Sequence, residues 1–526
     1  MKLTGLLFAA ALLGSCTQPA AEENYTRHVD PKIGTEGHGH VFVGANVPFG
    51  LVQVGPTSIP QTWDWCSGYH ASDSTVIGFS HTHLSGTGIG DLFDVTVMPV
   101  TGEVTYARGT EDDPASGLWS YADRTREITK PGYYSVPLVR YGITTEMTAT
   151  ARVGLHRYTF PASDAAAVVF DLENGGCWDK ATDTGFRFSD DSTRIAGWRC
   201  STGWAKNQEV YFVAEFSKPA KGISYLQPGE IDDSKMPRIA ARYARVDFDT
   251  AEGEQVLVKV ALSPVSIEGA KANLAAELSG WDFDATAAAA DKAWNDELSK
   301  VKIETEDETS KRIFYTALYH TMVAPSLFCD VNGDYRGADG KVHENPGRDT
   351  YTTFSLWDTY RAAMPLMTVL HPERMPDIIQ TMLHIADEQG RLPVWHLWGN
   401  ETDCMVGNPG IVAVADAIVK GIGGFDREKA FETIRKTAMN PDRGNGLRME
   451  YGYIPCDLFN EAVAYDMEYA LADGAAARAA ETLSKAEDAK YFEERSHSYR
   501  NYFDPVTRFM RGRDSKKGWR TPFNAF

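Results

Sequence analysis

The hydrophobic pattern of the chain changes its period near residue 265, and this change limits the folds that it can adopt. Before that point, short β-branched and aromatic runs, such as residues 256–260, alternate with turn residues. Later apolar residues recur at helical spacing, in about seven windows between residues 311 and 502. Period two is typical of strands and a period near 3.6 of helices. We therefore predict a β-sandwich over residues 24–265, a helical linker over 266–305 and an all-α domain over 306–526.

Composition narrows the class of partner. The 526 residues are 43% hydrophobic and 24% charged, which is ordinary for a globular protein. With 52 basic and 72 acidic residues the formal net charge is −20, so a polyanion would be repelled and nucleic acid is excluded as a partner. Aromatic residues reach 11%. They serve packing, and their flat faces also suit the apolar faces of sugar rings.

The first 16 residues have the pattern of an export signal with a lipidation site. Lys2 is followed by an apolar stretch, Leu6–Leu13, that is too short to span a membrane as a helix. The following Gly14-Ser15-Cys16 resembles the end of a bacterial lipobox, with cleavage before a lipidated Cys16; an ordinary signal peptide is the alternative. We expect an exported lipoprotein, periplasmic or on the outer-membrane surface, whose membrane contact is the lipid anchor alone.

The six remaining cysteines are scattered and include no C-x-x-C pair, so a cysteine-based metal site is not expected. Export makes disulfides possible. Cys177 and Cys200 are the closest pair in sequence. No pairing is predicted from this spacing alone.

The densest polar run covers residues 392–405. Glu401 lies there beside Trp395, His396 and Trp398. Apolar neighbours raise the pKa of a carboxyl group by desolvation, so a protonated Glu401 could act as a general acid. A helix start with Asn400 as its N-cap is the alternative reading.

A second run places Asp358 among Trp357, Tyr360 and Arg361. Aromatic rings and charged groups together suit a sugar ring, which stacks on the aromatic rings and forms charge-assisted hydrogen bonds through its hydroxyl groups. A helix cap with an Asp358–Arg361 ion pair is the alternative. The sequence alone does not separate the two.

A third run contains Trp63, followed by His81 and His83. The two histidines would share one face of a strand. With His38 and His40 they could hold zinc, but no acidic residue or cysteine completes a ligand set at a telling spacing, so no metal ligand is assigned. The glycines at 86–90 lack the strand–helix context of a nucleotide loop and are interpreted as a loop.

These runs resemble glycoside hydrolase family 92. The segments that carry the resemblance are ordered along the chain: Asp30–Thr35, Trp63–Tyr69, Gly78–Gly88, Phe354–Arg361 and Gly399–Met405. The resemblance implies a calcium-dependent, inverting exo-α-mannosidase, α-1,2-mannosidase-like, that removes terminal mannose from N-glycan-type oligosaccharides. It also implies an N-terminal β-sandwich followed by an (α/α)6 barrel, with the active site between them.

The resemblance assigns roles to single residues. Glu401 matches the general acid, and Asp358 matches the carboxylate that holds the terminal mannose. The other residues expected to contact substrate are Arg361, Trp398, Trp63, His81 and His83. Two departures lie near Glu401: His396, where an acidic residue is common, and Asn408-Pro409, where Tyr-His is usual.

The resemblance also implies a missing part. Family members continue beyond the Trp519–Phe523 motif, and that continuation holds the general base and most calcium ligands. An inverting hydrolase needs two carboxyl groups about 6.5–9.5 Å apart. We therefore expect an incomplete barrel. Two other functions stay open: a truncated, catalytically dead mannoside-binding fragment, and a different glycosidase or phosphorylase of similar shape.

Overall fold

The structure is a computed structural model that describes residues 23–59, 62–106, 110, 117–189, 192–226, 239–345 and 347–525. The expected export signal, residues 1–16, and the expected lipidation site, Cys16, lie outside the described residues. Among the helices that are described, none combines the length and the apolar character needed to cross a membrane.

The N-terminal half folds into two large antiparallel sheets, of seven and nine strands. Their orders are β1-β2-β4-β5-β11-β17-β15 and β16-β12-β13-β14-β18-β10-β9-β8-β7, and β3 pairs with β6 beside them. The strands are β1 (Ala45–Asn46), β2 (Gln53–Thr57), β3 (Thr75–Val76), β4 (Gly78–Ser80), β5 (Thr96–Thr101), β6 (Ser120–Tyr121), β7 (Ile128–Lys130), β8 (Tyr133–Leu138), β9 (Ile143–Ala149), β10 (Val153–Phe160), β11 (Ser163–Asp171), β12 (Lys180–Phe188), β13 (Arg194–Thr202), β14 (Gln208–Phe216), β15 (Gly222–Leu226), β16 (Ile239–Ala240), β17 (Tyr243–Thr250) and β18 (Glu254–Ser263).

The core between the two sheets follows from alternation along the strands. In β14, Val210, Phe212, Ala214 and Phe216 are buried, and the residues between Val210 and Phe212 and between Ala214 and Phe216 are half-buried. Phe212 stacks on Phe170 of β11 in the opposite sheet, with 5.9 Å between ring centroids. Period-two patterns thus place apolar side chains between the layers. The predicted β-rich N-terminal domain is confirmed.

The second half is helical, as predicted. Its helices are α1 (Ile267–Glu277), α2 (Phe283–Leu298), α3 (Glu308–His320), α4 (Leu356–Thr359), α5 (Ala363–Leu370), α6 (Met375–Gln389), α7 (Pro409–Val419), α8 (Arg427–Ala438), α9 (Asn445–Tyr451), α10 (Ala462–Thr482) and α11 (Ala486–Arg495). Short strands lie between them: β19 (Ser326–Leu327), β20 (Tyr335–Arg336), β21 (Val342–His343), β22 (Tyr351–Thr352), β23 (Phe354–Ser355), β24 (Trp395–Leu397), β25 (Asn400–Glu401), β26 (Phe503–Asp504) and β27 (Phe509–Met510).

Helix α6 shows why this half is helical. Its buried side chains recur at three- and four-residue spacing, from Met375 through Ile378, Ile379 and Met382. Pro376 stands in its first turn, and Gly390 ends the helix with a φ of 92°, which favours glycine. The closure of these helices into an (α/α)6 ring, or its incompleteness, stays a prediction.

The segment after α3 docks the helical half on the sandwich. The Phe49 N–H donates to Met322 O (2.8 Å), and the Leu327 N–H donates to Phe49 O (2.9 Å). Gln53 Nε2 donates to Val323 O (3.0 Å). These bonds bring the sandwich loop around Ser85 opposite β23, and a cavity lies between the two.

Candidate active site

A cavity of about 280 Å³ lies where the sandwich meets the helical domain. One wall is the Ser85–Thr87 loop of the sandwich, and the other is formed by Thr353–Thr359 and the Trp395 side chain. Its apolar lining includes Met364 and Met367. The volume is below the roughly 300–1,000 Å³ of pockets for drug-sized ligands, which suits a single ring-sized ligand.

Asp358 is the acidic residue among the described residues that line this cavity. Strand β23 leads directly into the short helix α4, and Asp358 projects from its last turn. Ser355 Oγ donates to Asp358 Oδ2 (2.5 Å), which fixes one carboxylate oxygen. Asp358 is exposed and lines the cavity, so a ligand there can reach its carboxylate. The carboxylate can therefore accept hydrogen bonds from ligand hydroxyl groups.

Arg361 is held away from Asp358. Its guanidinium donates to Glu468 Oε1 of α10 (2.8 Å), and Tyr360 Oη donates to the other oxygen of Glu468 (2.8 Å). Arg361 also lies 4.8 Å from the Trp357 ring. The alternative expectation of an Asp358–Arg361 ion pair is wrong, because Arg361 forms its ion pair with Glu468. Sequence analysis missed Glu468, which sits inside an Ala-rich helical window and lies far from the Asp358 motif in sequence.

Glu401 lies in the hairpin of β24 and β25. It is not among the described residues that line the cavity. Its carboxylate accepts hydrogen bonds from the backbone N–H groups of Val394 (2.8 Å), Trp395 (2.9 Å) and Asp403 (3.0 Å). The hairpin therefore turns three backbone donors onto this one carboxylate. The expectation that Glu401 is the general acid stays a prediction. The helix-start alternative is wrong, because Glu401 is in a strand.

The tryptophans are arranged differently from the expectation. Trp398 is 2% exposed and packs on Phe328, with 5.3 Å between ring centroids, so it cannot stack on a ligand. Trp395 lines the cavity instead, and its ring contacts Trp204 of the sandwich (4.5 Å). Trp63 is half exposed, and its Nε1 donates to Gly88 O (2.8 Å).

A second contact joins the cavity wall to the sandwich. The Asn207 N–H donates to Asn400 Oδ1 (3.0 Å), and Asn400 Nδ2 donates back to Asn207 O (3.0 Å). This reciprocal amide pair fixes the β24–β25 hairpin against the 203–207 loop. The position of Trp395 therefore depends on both domains.

The expected pocket histidines are buried inside the sandwich. Because Val95 O only accepts, His81 Nδ1 carries the proton in their 2.7 Å bond. His156 Nε2 then donates to His81 Nε2 (2.9 Å), and Tyr158 Oη donates to His156 Nδ1 (2.8 Å). Burial lowers the pKa of His81 to about 4 and that of His83 to about 3. Both are fully enclosed, so their assignment to the pocket wall is corrected to a structural role.

The zinc arrangement is not formed either. His38 Nδ1 and His40 Nε2 lie 2.6 and 3.5 Å from Asp64 Oδ1, beside Trp63. His81 instead bonds to His156. The four histidines therefore belong to separate networks.

In the described part of the chain, a single group has the spacing of a metal site: Glu297, His371 and Glu373, with ligand atoms within 4.8 Å of one another. Lys300 Nζ already lies 2.7 Å from Glu297 Oε2, 3.2 Å from His371 Nδ1 and 3.0 Å from Glu373 Oε1. The ammonium group supplies the positive charge there. Calcium takes six to eight oxygen ligands. Two carboxylates and one imidazole, already bound to an ammonium group, therefore do not fit it.

Known protein families and solved structures match both halves of the chain. The sequence model of the glycosyl hydrolase family 92 N-terminal domain matches residues 28–263, and that of the family 92 catalytic domain matches residues 269–526. A solved family 92 α-mannosidase of Bacteroides thetaiotaomicron, in complex with mannoimidazole, is 40% identical, with a TM-score of 0.91. The alignment covers 95% of this chain and 67% of that one. The chain belongs to glycosyl hydrolase family 92.

Other relatives agree with the family 92 assignment. An inverting family 92 mannosidase of Bacteroides thetaiotaomicron is 29% identical, with a TM-score of 0.84, over 95% of this chain and 68% of that one. A protein of Arthroderma benhamiae described as a secreted glycosidase is 25% identical over 97% of this chain. The chain spans 66% of the length of that curated relative. The recognition of the family is confirmed. Because both family 92 domains match, the expectation of a missing catalytic part is not supported.

Proposed function

We propose that this family 92 chain acts as an exo-α-mannosidase on terminal mannose of N-glycan-type oligosaccharides. The observation that carries the proposal is the cavity between the two domains, with Asp358 and Trp395 on one wall. The mannosidases that share its fold at 40% and 29% identity support the substrate class. The preference for α-1,2 linkages belongs to the proposal.

The cavity residues would bind one sugar ring from two sides. Asp358, oriented by Ser355, would accept hydrogen bonds from adjacent hydroxyl groups of the ring. The Trp395 ring and the nearby methionines would cover its apolar face. A cavity of about 280 Å³ holds one ring and leaves the rest of the glycan outside, which suits removal of single terminal residues.

Inversion and calcium dependence come from the resemblance and stay parts of the proposal. When bound, calcium would supply a positive charge that neutralises its oxygen ligands. The Glu297–His371–Glu373 group does not fit it. The general acid is assigned to Glu401 by resemblance only. Its three backbone partners favour a positioning role, in which the carboxylate shapes the hairpin that presents Trp395.

Export also belongs to the proposal and is supported by the matched curated relative, which is described as secreted. Lipidation at Cys16 rests on the lipobox-like sequence alone. A Cys16→Ala variant would then be recovered without a lipid and outside the membrane fraction. A wild-type chain that carries no lipid would contradict the anchor, but not the activity.

The experiment is hydrolysis of α-1,2-mannobiose by the wild-type chain, with and without calcium. We expect Asp358→Asn to reduce kcat/KM by about 100-fold or more, because it removes a charged acceptor of sugar hydroxyl groups. The matched control is Asp296→Asn, an exposed aspartate of α2 that pairs with Lys292. Absence of hydrolysis by the wild-type chain, or equal rates in the two variants, would contradict the proposal.

A further inference from the structure

The end of helix α3 brings an imidazole to the lining of the cavity. His320 is the last residue of α3 and lines the cavity together with Thr321. Its ring lies 5.5 Å from the Tyr319 ring, measured between centroids. The segment that follows is bonded to the sandwich, since Met322 O accepts from the Phe49 N–H (2.8 Å). His320 is therefore held at the boundary of the two domains, where the cavity lies.

The two ring nitrogens of His320 have different surroundings. Within the described part of the chain, neither has a hydrogen-bond partner, and Nε2 is the one that is completely buried. Nδ1 is therefore the nitrogen that a ligand in the cavity can reach. Burial lowers the pKa of His320 to about 4, so the ring is neutral near pH 7 and has one N–H group and one lone pair.

A neutral imidazole has two tautomers, and these surroundings favour one of them. A buried N–H without an acceptor is rarer in proteins than a buried acceptor without a donor. The enclosed Nε2 of His320 therefore carries the lone pair, which places the hydrogen on Nδ1. In this tautomer the ring offers a hydrogen-bond donor to the cavity.

The hydroxyl groups on the helical side of the cavity already donate to the chain itself. Ser355 Oγ donates to Asp358 (2.5 Å), Thr359 Oγ1 donates to Ser355 O (2.9 Å), and Thr321 Oγ1 donates to a backbone carbonyl of α3 (2.7 Å). Each hydroxyl has one hydrogen, so in this arrangement the three groups can only accept from a ligand. A sugar hydroxyl both donates and accepts, and His320 supplies a donor for its oxygen.

We propose that His320 Nδ1 donates a hydrogen bond to a hydroxyl oxygen of the terminal sugar in the cavity. Asp358 accepts from the ring hydroxyls while His320 donates to one of them, so the two residues together select the hydroxyl pattern of the sugar. The inference rests on the proposed function, because its ligand is the terminal mannose. It adds a residue of α3 to the residues that the motifs and the family resemblance assign.

The test compares two substitutions of nearly equal size. His320→Asn places an amide N–H close to the position of Nδ1, whereas His320→Leu has no donor. We expect His320→Leu to weaken the binding of mannoimidazole about 10-fold, the loss expected for one neutral hydrogen bond, and His320→Asn to recover most of the affinity. Isothermal titration calorimetry measures both without turnover.

The matched control for this test is His384→Leu. Nδ1 of this α6 histidine is also buried without a partner in the described structure, but His384 does not line the cavity. The control should bind mannoimidazole as the wild type does. An equal loss of affinity in His384→Leu and His320→Leu would overturn the inference, because it would assign the loss to the removal of any buried imidazole.

The other outcomes separate this inference from the proposed function. Equal affinities of the wild type and His320→Leu, or equal losses in His320→Leu and His320→Asn, would overturn the donor role and leave the mannosidase proposal intact. A wild-type chain that neither binds mannoimidazole nor hydrolyses α-1,2-mannobiose would overturn both.

Aryl α-mannosides that lack one ring hydroxyl provide a second measurement. Removal of the hydroxyl that His320 contacts should lower kcat/KM about 10-fold in the wild type and leave it nearly unchanged in His320→Leu, because the donor is already absent there. Removal of a hydroxyl that His320 does not contact should lower kcat/KM by the same factor in the two proteins. Equal factors for every hydroxyl would contradict the contact.

Discussion

Each domain buries an arginine between two aspartates, and the two clusters differ in what else supports the acids. In the sandwich, Arg199 pairs with Asp94 (2.7 Å) and with Asp179, and all three side chains are completely buried. In the helical domain, Arg448 pairs with Asp466 and Asp473, each at 2.6 Å. The first arginine is enclosed, whereas the second lines a cavity of about 490 Å³.

The second pair of acids has other donors. Arg495 Nε lies 3.1 Å from Asp473 Oδ2. Asp466 accepts from Ser498 Oγ (2.7 Å) and Tyr502 Oη (2.8 Å). In the sandwich, Asp94 also accepts from Thr82 Oγ1 (2.7 Å) and Gln208 Nε2, but Asp179 Oδ2 is buried with no hydrogen-bond partner in the structure. The difference teaches that the cost of losing a buried charge depends on the donors and solvent left to its partners.

The largest expected effect is that of Arg199→Met. It leaves Asp94 and Asp179 as buried charges without their guanidinium, so we expect a loss of about 3–5 kcal/mol in the free energy of unfolding. Urea denaturation would measure it. Arg242→Met, which breaks an exposed pair with Glu173, is the control and should cost at most about 1 kcal/mol. Similar losses in the two variants would remove the distinction between enclosed and exposed pairs.

Arg448→Met should cost less, about 1–3 kcal/mol, because Arg495, Ser498, Tyr502 and water in the adjoining cavity still serve both aspartates. The double variant Arg448→Met with Arg495→Met should lower the free energy of unfolding about as much as Arg199→Met does. Urea denaturation of both variants makes the comparison. If Arg448→Met alone destabilises as much as Arg199→Met, the remaining donors do not compensate.

Acid should weaken the sandwich through its buried neutral histidines. Burial lowers the pKa of His83 from 6.5 to about 3, so below pH 6.5 the unfolded chain binds a proton that the native chain excludes. Stability is fully present above pH 6.5 and falls as the pH decreases. Between pH 6.5 and 5 the wild type should lose about 2 kcal/mol more than His83→Leu. Parallel pH dependences in the two proteins would contradict this role.

Asp91 changes the stability with pH in the opposite direction, so the effect of His83 is measured as the difference between the wild type and His83→Leu. Burial and the Asp179 charge raise the pKa of Asp91 to about 7. The native chain therefore binds this proton more tightly than the unfolded chain does, and acid favours folding at Asp91. The His83→Leu variant cancels this contribution, because Asp91 is present in both proteins.

The smallest expected effect on stability is that of Glu401→Gln. We expect it to lower the free energy of unfolding by about 1–2 kcal/mol, since one amide oxygen replaces a carboxylate that accepts three backbone hydrogen bonds. If Glu401 positions the hairpin, kcat should fall equally for a mannobiose and for an aryl mannoside with an activated leaving group. If it is the general acid, the loss for the mannobiose should be about 10²–10⁴-fold and larger than that for the aryl mannoside. Steady-state kinetics on both substrates decides between them.

The order of domains could be predicted because hydrophobic period is a local property of the chain. Asp358 could also be found, since its neighbours in sequence remain its neighbours in the turn from β23 to α4. Trp395 could not be distinguished from Trp398. A backbone φ of 47° at Trp398 ends the strand alternation there, so counting along the hairpin does not tell which ring faces the cavity.

Long-range partners account for the other differences. His81 bonds to His156 from another strand, and Arg361 bonds to Glu468 from α10. Neither partner is marked by any local pattern. The surroundings of Glu401 differ for a related reason: tryptophans near it in sequence suggested apolar neighbours, and the hairpin instead turns three backbone N–H groups onto the carboxylate.

The reciprocal amide pair of Asn207 and Asn400 has a consequence for recombination between family members. A chimera joined at the linker, near residue 266, would take the 203–207 loop from one parent and the β24–β25 hairpin from the other. The path of the 203–207 backbone, the Asn400 side-chain amide and the Trp204–Trp395 contact would then have to match across parents. Crossovers at the linker are therefore expected to give chimeras that fold as separate halves yet misplace Trp395, unless both segments are exchanged together.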